Sequence, residues 1–264
     1  MADKNNNGKL DKTDKTKTRA ATGIPGLDAL VEGGFPRARS ILVSGACGTG
    51  KSIFGMQYLY HGLVDYEEPG VFVTFDEMPM KIREDMLKFG WNLRELEKND
   101  LLAILDATSA KAGTASEEEH ALTPGRLDFD NALLEILNVC RKTNAKRLVI
   151  DSIPAMGLHS DSLNETRKNI LKLSYVLNRT GLTTVMTTEV PEGAGGGAQH
   201  LSRYGIEEYV TDGVILLGFL GTGTRATRTI YVRKMRGTNH VLEIQPMEIT
   251  PKGIVVKKMT DVYK

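Results

Sequence analysis

Short apolar runs alternate with longer amphipathic stretches along most of the chain after Thr22. The short runs occupy residues 41–44, 71–75, 101–105, 148–150 and 183–187. Runs of this length that are apolar throughout are typical of strands buried on both faces of a parallel sheet. The pattern therefore predicts an α/β fold in which five parallel strands are joined by crossover helices.

Apolar residues recur at helical spacing in the stretches between these runs. Residues 52–63 can form a helix directly after the first run, and two further apolar faces should cover the sheet. The first face comprises Ala132, Leu133, Ile136, Leu137 and Cys140, and the second comprises Leu163, Ile170, Leu173 and Leu177.

The pattern changes after Val210, where short β-rich segments follow one another with only turns between them. These segments are residues 214–220, 229–232, 241–249 and 254–256. Their spacing predicts antiparallel hairpins. Because no repeat of fixed period and no second domain is visible, we expect one domain over residues 21–258.

Several segments carry too little apolar surface to offset the entropy of ordering. Residues 1–20 are a predicted flexible tail, and residues 259–264 a second tail at the other end. Residues 109–125, with three consecutive glutamates, are a predicted solvated loop. Residues 192–198 hold too many glycines to keep one conformation without a bound partner.

Composition narrows the class of protein. The 264 residues are 41% hydrophobic and 25% charged, with a formal net charge of +1, which is typical of a globular protein and gives no global attraction to nucleic acid. No signal peptide or membrane span is visible, so we expect a cytoplasmic protein. The two cysteines have no metal-ligand spacing and are expected to be reduced thiols.

The stretch GACGTGKS follows the first apolar run and precedes the first predicted helix. It fits the phosphate-binding pattern Gly-x-x-x-x-Gly-Lys-Ser, in which backbone amides and the helix dipole converge on phosphates. Lys51 would neutralise β- and γ-phosphate oxygens, and the Ser52 hydroxyl would bind Mg²⁺. The predicted ATP-binding residues are Gly45, Ala46, Cys47, Gly48, Thr49, Gly50, Lys51 and Ser52.

Acidic residues end two of the predicted strands, which we expect to neighbour the strand before this loop. Asp151 follows one apolar run and is a candidate for the metal's water shell, although it can also be a helix cap before Pro154. Asp76 and Glu77 follow another run and are candidates for orienting the attacking water. An exposed pair of acids at a helix start is the alternative for these two.

The motifs together resemble the KaiC branch of the RecA-type ATPases. The resemblance covers residues 22–257 and is carried by TGIPGLDALVEGGFPRARSILVSGACGTGKS, VFVTFDE, RLVIDS, LTTVMTTE, RYGIEEYVTDGVILL and KMRGTNH. It implies a RecA-like fold, with a mostly parallel central sheet flanked by helices and antiparallel strands at its C-terminal end.

The resemblance also implies a ring, usually a hexamer, with ATP bound between adjacent subunits. It makes Lys234 and Arg236 the basic residues that reach a neighbour's phosphates, and it places His240 near a nucleotide-contacting histidine. Glu77 would be the second of two catalytic carboxylates, but the first is Asp76 instead of glutamate, so which one positions the water stays open. The pair Glu208-Tyr209 matches the first, non-phosphorylated domain of KaiC, which favours slow hydrolysis over autokinase activity.

Two other functions are compatible with this sequence. An ATP-dependent scaffold with negligible hydrolysis is allowed by the substitution at Asp76. A recombinase-like protein would bind single-stranded DNA through the glycine-rich segment, but His200 and Arg203 are too few to supply the usual phosphate contacts.

Residues 221–226 also match the dinucleotide-binding pattern Gly-x-Gly-x-x-Ala, but a strand follows them instead of a helix, so we expect a hairpin turn. We also expect a regulatory protein partner, but no feature of the sequence identifies it.

Overall fold

The computed structural model describes residues 18–124, 128–156, 162–190, 201–222 and 225–258. Its strands are β1 (Arg19–Ala20), β2 (Phe35–Pro36), β3 (Ser40–Gly45), β4 (Gly70–Thr74), β5 (Leu102–Asp106), β6 (Arg147–Asp151), β7 (Thr183–Glu189), β8 (Gly213–Thr222), β9 (Arg225–Met235), β10 (Gln245–Thr250) and β11 (Gly253–Val256). Its α-helices are α1 (Leu27–Leu30), α2 (Lys51–Tyr66), α3 (Pro79–Leu87), α4 (Leu93–Lys98), α5 (Thr108–Ala112), α6 (Phe129–Lys142), α7 (Leu163–Thr180) and α8 (Glu207–Val210).

Nine strands form the main sheet of the described residues, in the order β11-β10-β9-β8-β3-β7-β6-β4-β5. All five predicted parallel strands are present, and β8 is a sixth, because it pairs parallel with β3 before it turns back. The antiparallel hairpins predicted after Val210 are confirmed, since β8 also pairs antiparallel with β9, and the parallel pairing of β8 with β3 is an addition to them. The antiparallel part comprises the pairs β8–β9, β9–β10 and β10–β11.

Two apolar cores lie on opposite faces of the sheet. Helix α2 contributes Phe54, Tyr58 and Leu59 to one core, and helices α6 and α7 contribute to the other. The two predicted helical faces are buried as expected, except that Leu137 is partly buried and Leu163, the first residue of α7, is 56% exposed. Both sheet faces are covered because strands that are apolar throughout must be buried on both sides.

Two predicted boundaries were wrong. Residues 109–125 are not wholly a solvated loop: Thr108–Ala112 is helix α5, and Leu122 is buried where its amide donates to Asp106. The strand predicted over residues 241–249 begins only at Gln245, and Leu242 and Ile244 before it are exposed. The hairpin predicted over residues 221–226 is confirmed by the antiparallel pairs Gly221–Ala226 and Thr222–Arg225.

Several sequence predictions fall outside the described residues. These concern residues 1–17 and 259–264 of the predicted tails, and the glycine-rich segment at residues 192–198 with His200. The first predicted tail extends too far, because Arg19 and Ala20 form β1, which pairs with β2. Within the ranges given above, no helix has the length and apolar character that crossing a bilayer requires.

Candidate nucleotide-binding site

The glycine loop connects the end of β3 at Gly45 to the start of α2 at Lys51. Gly48 and Gly50 have φ angles of 76° and 105°, in the left-handed region that favours glycine. A Cβ on Gly45 would lie 2.5 Å from the carbonyl oxygen of Leu217. Glycine at these positions therefore lets the backbone turn tightly and approach the neighbouring strand closely.

The first turn of α2 is open toward this loop. Its N-cap is Gly50, and no side chain caps the helix, so its first amides have no side-chain acceptor. The Lys51 ammonium donates to the carbonyl oxygens of Gly45 and Ala46 at 2.9 and 3.0 Å, which folds the side chain over the loop. An uncapped helix N-terminus beside a lysine is the arrangement that binds phosphate oxygens.

Asp151 ends β6 and is partly buried beside the loop. The strand order places β7 between β3 and β6, so the acid lies one strand farther from the loop than expected. Burial raises the pKa of the Asp151 carboxyl, and hydrogen bonds from Ser52 and Thr187 partly offset this effect. The structure thus brings Ser52 and Asp151 together, as a shared magnesium site requires.

Asp76 and Glu77 follow β4, which is separated from β3 by β6 and β7. Both nevertheless line the same cavity of about 390 Å³ as Lys51, Ser52 and Asp151. They differ in their contacts. The carboxylate of Asp76 accepts from Lys111 at 2.9 Å and from Ser152 at 3.0 Å, so its position is held by two donors.

Glu77 has a different environment. Its backbone is tied to Thr74, whose hydroxyl donates to the Glu77 carbonyl at 2.6 Å. Burial raises the pKa of its carboxyl, with smaller contributions from the negative charges of Asp85 and Asp151. A carboxylate with a raised pKa is better matched to accepting a proton from water near neutral pH.

Five residues that line the cavity were not predicted from the sequence: Ile53, Ser152, Glu189, Arg228 and Ile249. The Arg228 guanidinium contacts the loop directly, donating to the carbonyl oxygen of Gly48 at 3.3 and 3.4 Å. Arg228 follows Gly48 by 180 residues along the chain. No local pattern marks such a contact, because it depends on β9 lying next to β8, which in turn flanks β3.

Lys234 and Arg236 lie away from this cavity. Lys234 of β9 pairs with Val214 of β8, and Val214 also pairs with Leu42 of β3. Lys234 is therefore level with Leu42, which lies about 10 Å before the end of β3 at Gly45. Its ammonium donates to the carbonyl oxygens of Glu208 and Thr211 at 2.9 and 2.6 Å. Burial lowers the pKa of Lys234, and the positive charge of Arg236 adds to the effect.

The remaining basic candidates lie near Lys234. Arg236 contacts the buried carboxylate of Asp212 at 3.5 Å. His240 is half-buried: its Nδ1 is 3.4 Å from the Thr238 carbonyl oxygen, and its Nε2 is buried without a partner among the described residues. None of the three side chains lines the cavity that contains the glycine loop and the acids.

Comparison with known proteins identifies the family. A family model described as "ATPase: KaiC" matches residues 20–261. The chain belongs to the KaiC family of ATPases. It is 40% identical over 235 residues to the circadian clock oscillator protein KaiC of Prochlorococcus marinus, which covers 89% of this chain but only 44% of that protein. The chain thus spans less than half of the cyanobacterial KaiC proteins that it matches.

Archaeal KaiC-like proteins match over nearly their whole length. A UPF0273 protein of Pyrococcus furiosus is 37% identical over 238 residues, or 90% of this chain and 93% of that protein. The crystal structure of a KaiC-like protein from Pyrococcus horikoshii is 40% identical, with a TM-score of 0.76, and covers 90% of this chain and 98% of that one. The predicted RecA-like fold is therefore confirmed, with a single KaiC-like domain in the matched region.

Proposed function

We propose that this KaiC-family chain binds Mg-ATP in its glycine-loop cavity and hydrolyses it slowly between the subunits of a hexameric ring. The observation that carries this proposal is the separation of two groups of residues. The loop and the acids share one cavity, whereas Lys234 and Arg236 lie outside it, toward the end of β9 that is farther from the glycine loop. A second copy of the chain would bring its basic residues to the first copy's phosphates, as cations supplied from a neighbour do in other phosphoryl-transfer sites.

The cavity fits ATP and magnesium by its own chemistry. The uncapped amides of α2 and the Lys51 ammonium would hold the phosphate oxygens, with Arg228 on the outer side of the loop. Ser52 and Asp151 would hold Mg²⁺, since hydroxyl and carboxylate oxygens are its usual protein ligands. The metal, when bound, supplies positive charge that offsets the charge developing on the phosphates.

We assign the water-orienting role to Glu77. Asp76 is one methylene shorter and already accepts two hydrogen bonds, from Lys111 and Ser152, so its carboxylate is held away from a free approach to water. Glu77 has no such donors among the described side chains, and its raised pKa favours proton acceptance. Asp76 would then hold Lys111 and Ser152 at the edge of the site.

The ring would act in regulation or signalling in the cytoplasm, by changing its contact with a protein partner as ATP is hydrolysed. The rival is an ATP-dependent scaffold that hydrolyses almost nothing. It is favoured by the same two contacts on Asp76, which remove one of two carboxylates from the reaction. Phosphate release measured on the assembled protein separates the two functions.

The test compares Glu77→Gln with Asp76→Asn in Mg-ATP. General-base catalysis contributes about 10²- to 10⁴-fold, so Glu77→Gln should lower phosphate release by about 10²-fold or more, with ATP binding by calorimetry retained. Asp76→Asn should cause a clearly smaller loss. Equal losses for both variants would contradict the assignment of Glu77, and no release from the wild type would favour the scaffold.

A mixing experiment tests the shared site. Lys234→Ala removes the cation given to the neighbour, and Glu77→Gln removes the acid of the chain's own cavity. In an equal mixture that assembles at random, about one interface in four combines an intact Glu77 with an intact Lys234, so about a quarter of wild-type activity should return. Absence of any recovery in mixed rings would contradict a site built from two subunits.

A further inference from the structure

Arg19 joins two segments that are distant in sequence. One guanidinium nitrogen donates to the carbonyl oxygens of Val31 and Gly34 and to the Thr238 hydroxyl, at 3.0, 3.1 and 3.0 Å. The other donates to the Glu32 carboxylate at 3.1 Å and to the Gly237 carbonyl at 3.3 Å. The side chain is 13% exposed. One cation therefore connects the start of the domain with the segment that follows Arg236.

The turn at residues 31–34 is shaped to accept this cation. Glu32, Gly33 and Gly34 have φ angles of 57°, 103° and 124°, which curl the backbone so that two carbonyl oxygens face Arg19. A Cβ on Gly34 would lie 2.3 Å from the Ala20 carbonyl oxygen. This approach keeps the turn against β1, where Arg19 is located. The contact between the turn and β1 thus holds these two acceptors in place without any contribution from residues 237–241.

The second segment, residues 237–241, leads from Arg236 to His240 and rests on the same turn. Besides the two contacts from Arg19, the Val241 amide donates to the Leu30 carbonyl oxygen at 3.0 Å. Gly237 has a φ angle of 67°, so the chain changes direction directly after Arg236. The direction in which the chain leaves β9 after Met235, from Arg236 toward His240, therefore depends on where Arg19 holds Gly237 and Thr238.

We propose that Arg19 is a positioning residue that sets the basic segment at residues 234–240 for use by the neighbouring subunit. This inference rests on the function proposed above. An arginine suits the role because its planar fork reaches the turn and the segment at once, whereas a lysine ammonium is a single point of charge. None of the five hydrogen bonds that Arg19 donates to the described residues reaches the glycine loop, so its effect belongs to the neighbour's reaction and not to its own cavity.

The test uses Arg19→Gln, with Glu32→Gln as the matched control. The control removes the one exposed carboxylate partner but keeps the contacts of Arg19 with Gly237 and Thr238. Arg19→Gln alone should lower phosphate release on the order of 10²-fold, because small displacements of positioned groups cost that much. Glu32→Gln should stay near wild type. Urea unfolding and calorimetric ATP binding of the Arg19→Gln protein confirm that it is folded and that its own cavity works.

Mixed assemblies distinguish positioning from a general structural role. Arg19→Gln mixed with Glu77→Gln should recover about a quarter of wild-type activity, because one interface in four then has an intact cavity and an intact basic segment. Arg19→Gln mixed with Lys234→Ala should recover none, because every subunit then carries a defective basic segment. The reverse pattern, or no recovery in either mixture, would overturn the proposal.

The mixture of Lys234→Ala with Glu77→Gln keeps this result separate from the proposed function. If that mixture recovers activity while the mixture of Arg19→Gln with Glu77→Gln does not, the shared site stands and the role of Arg19 is wrong. If the Lys234→Ala mixture also fails, the shared site itself is wrong. Phosphate release by the conservative variant Arg19→Lys should fall between that of Arg19→Gln and that of the wild type, since lysine keeps the charge but not the planar fork.

Discussion

Asp76 and Glu77 are adjacent and equally charged, yet the structure gives them different surroundings. Asp76 is held by Lys111 and Ser152, while burial raises the pKa of Glu77. The sequence predicted that this pair and Asp151 would belong to one site, and the structure brings them to one cavity. The sequence could not distinguish Asp76 from Glu77, because the two donors to Asp76 come from distant elements: Lys111 from α5, and Ser152 from the segment after β6.

The raised pKa of Glu77 predicts the acid limb of the pH–activity profile. A general base works only when it is ionised, so activity falls as pH drops through its pKa. Because burial raises that pKa, the fall should occur above the pH at which an ordinary glutamate would protonate. Turnover measured at saturating Mg-ATP should show this limb in the wild type and lose it in Glu77→Gln. A limb at the ordinary glutamate pH would contradict the assignment.

At the scale of elements, the strands and helices were predicted where local pattern and burial agree. The parallel strands β3 to β7 are buried along nearly their whole length, and the sequence predicted their ends to within one or two residues. An error arose where side-chain hydrogen bonds to the backbone decide the state of a polar stretch. Residues 108–112 are helical because Asp106 accepts hydrogen bonds from the amide and hydroxyl of Thr108, at 2.8 and 2.7 Å, and so turns the chain after β5.

One buried ion pair connects several of these elements. Arg147, which begins β6, is 1% exposed and donates to the Glu68 carboxylate at 2.6 Å. Its guanidinium also donates to the carbonyl oxygens of Ala21 and Tyr58, at 2.8 and 2.9 Å, and lies 4.5 Å from the centre of the Tyr58 ring. The pair therefore ties β6 to helix α2, to the segment after α2 and to the segment after β1.

Removing the charge of Glu68 should destabilise the domain strongly. Glu68→Gln leaves the buried guanidinium without its counter-ion, which typically costs about 3–5 kcal/mol of unfolding free energy. Urea unfolding followed by circular dichroism measures this change. Glu67→Gln is the control, because Glu67 is exposed and the same substitution there should change stability by about 0.5 kcal/mol or less. A similar small effect at Glu68 would show that the pair contributes little.

At the scale of the whole molecule, an apolar surface accompanies the basic residues of β9. Tyr209 and Ile244 are 70% and 51% exposed, and both line the groove that contains Lys234 and Arg236. A ring that delivers these cations to a neighbour would cover this groove. Exposed apolar groups at the centre of an interface contribute strongly when they are buried on assembly.

A charge at Ile244 should therefore weaken assembly without unfolding the subunit. Light scattering in Mg-ATP should show a lower mass for Ile244→Asp than for the wild type, because a carboxylate cannot be buried there without a partner. Leu134→Asp is the matched control, since Leu134 is similarly exposed, at 56%, but lies on α6 away from this groove. Equal masses for both variants and the wild type would contradict this interface.

The amino-acid sequence by itself determined the family, the α/β class and the phosphate-binding loop, because these depend on contiguous residues and on local periodicity. Only the tertiary structure decided that β8 is a sixth parallel strand, that Arg228 reaches the loop and that Arg19 holds Gly237 and Thr238. Such contacts join residues 172 to 219 positions apart. Their formation depends on the order of strands in the sheet, and that order leaves no signal in the local pattern of either segment.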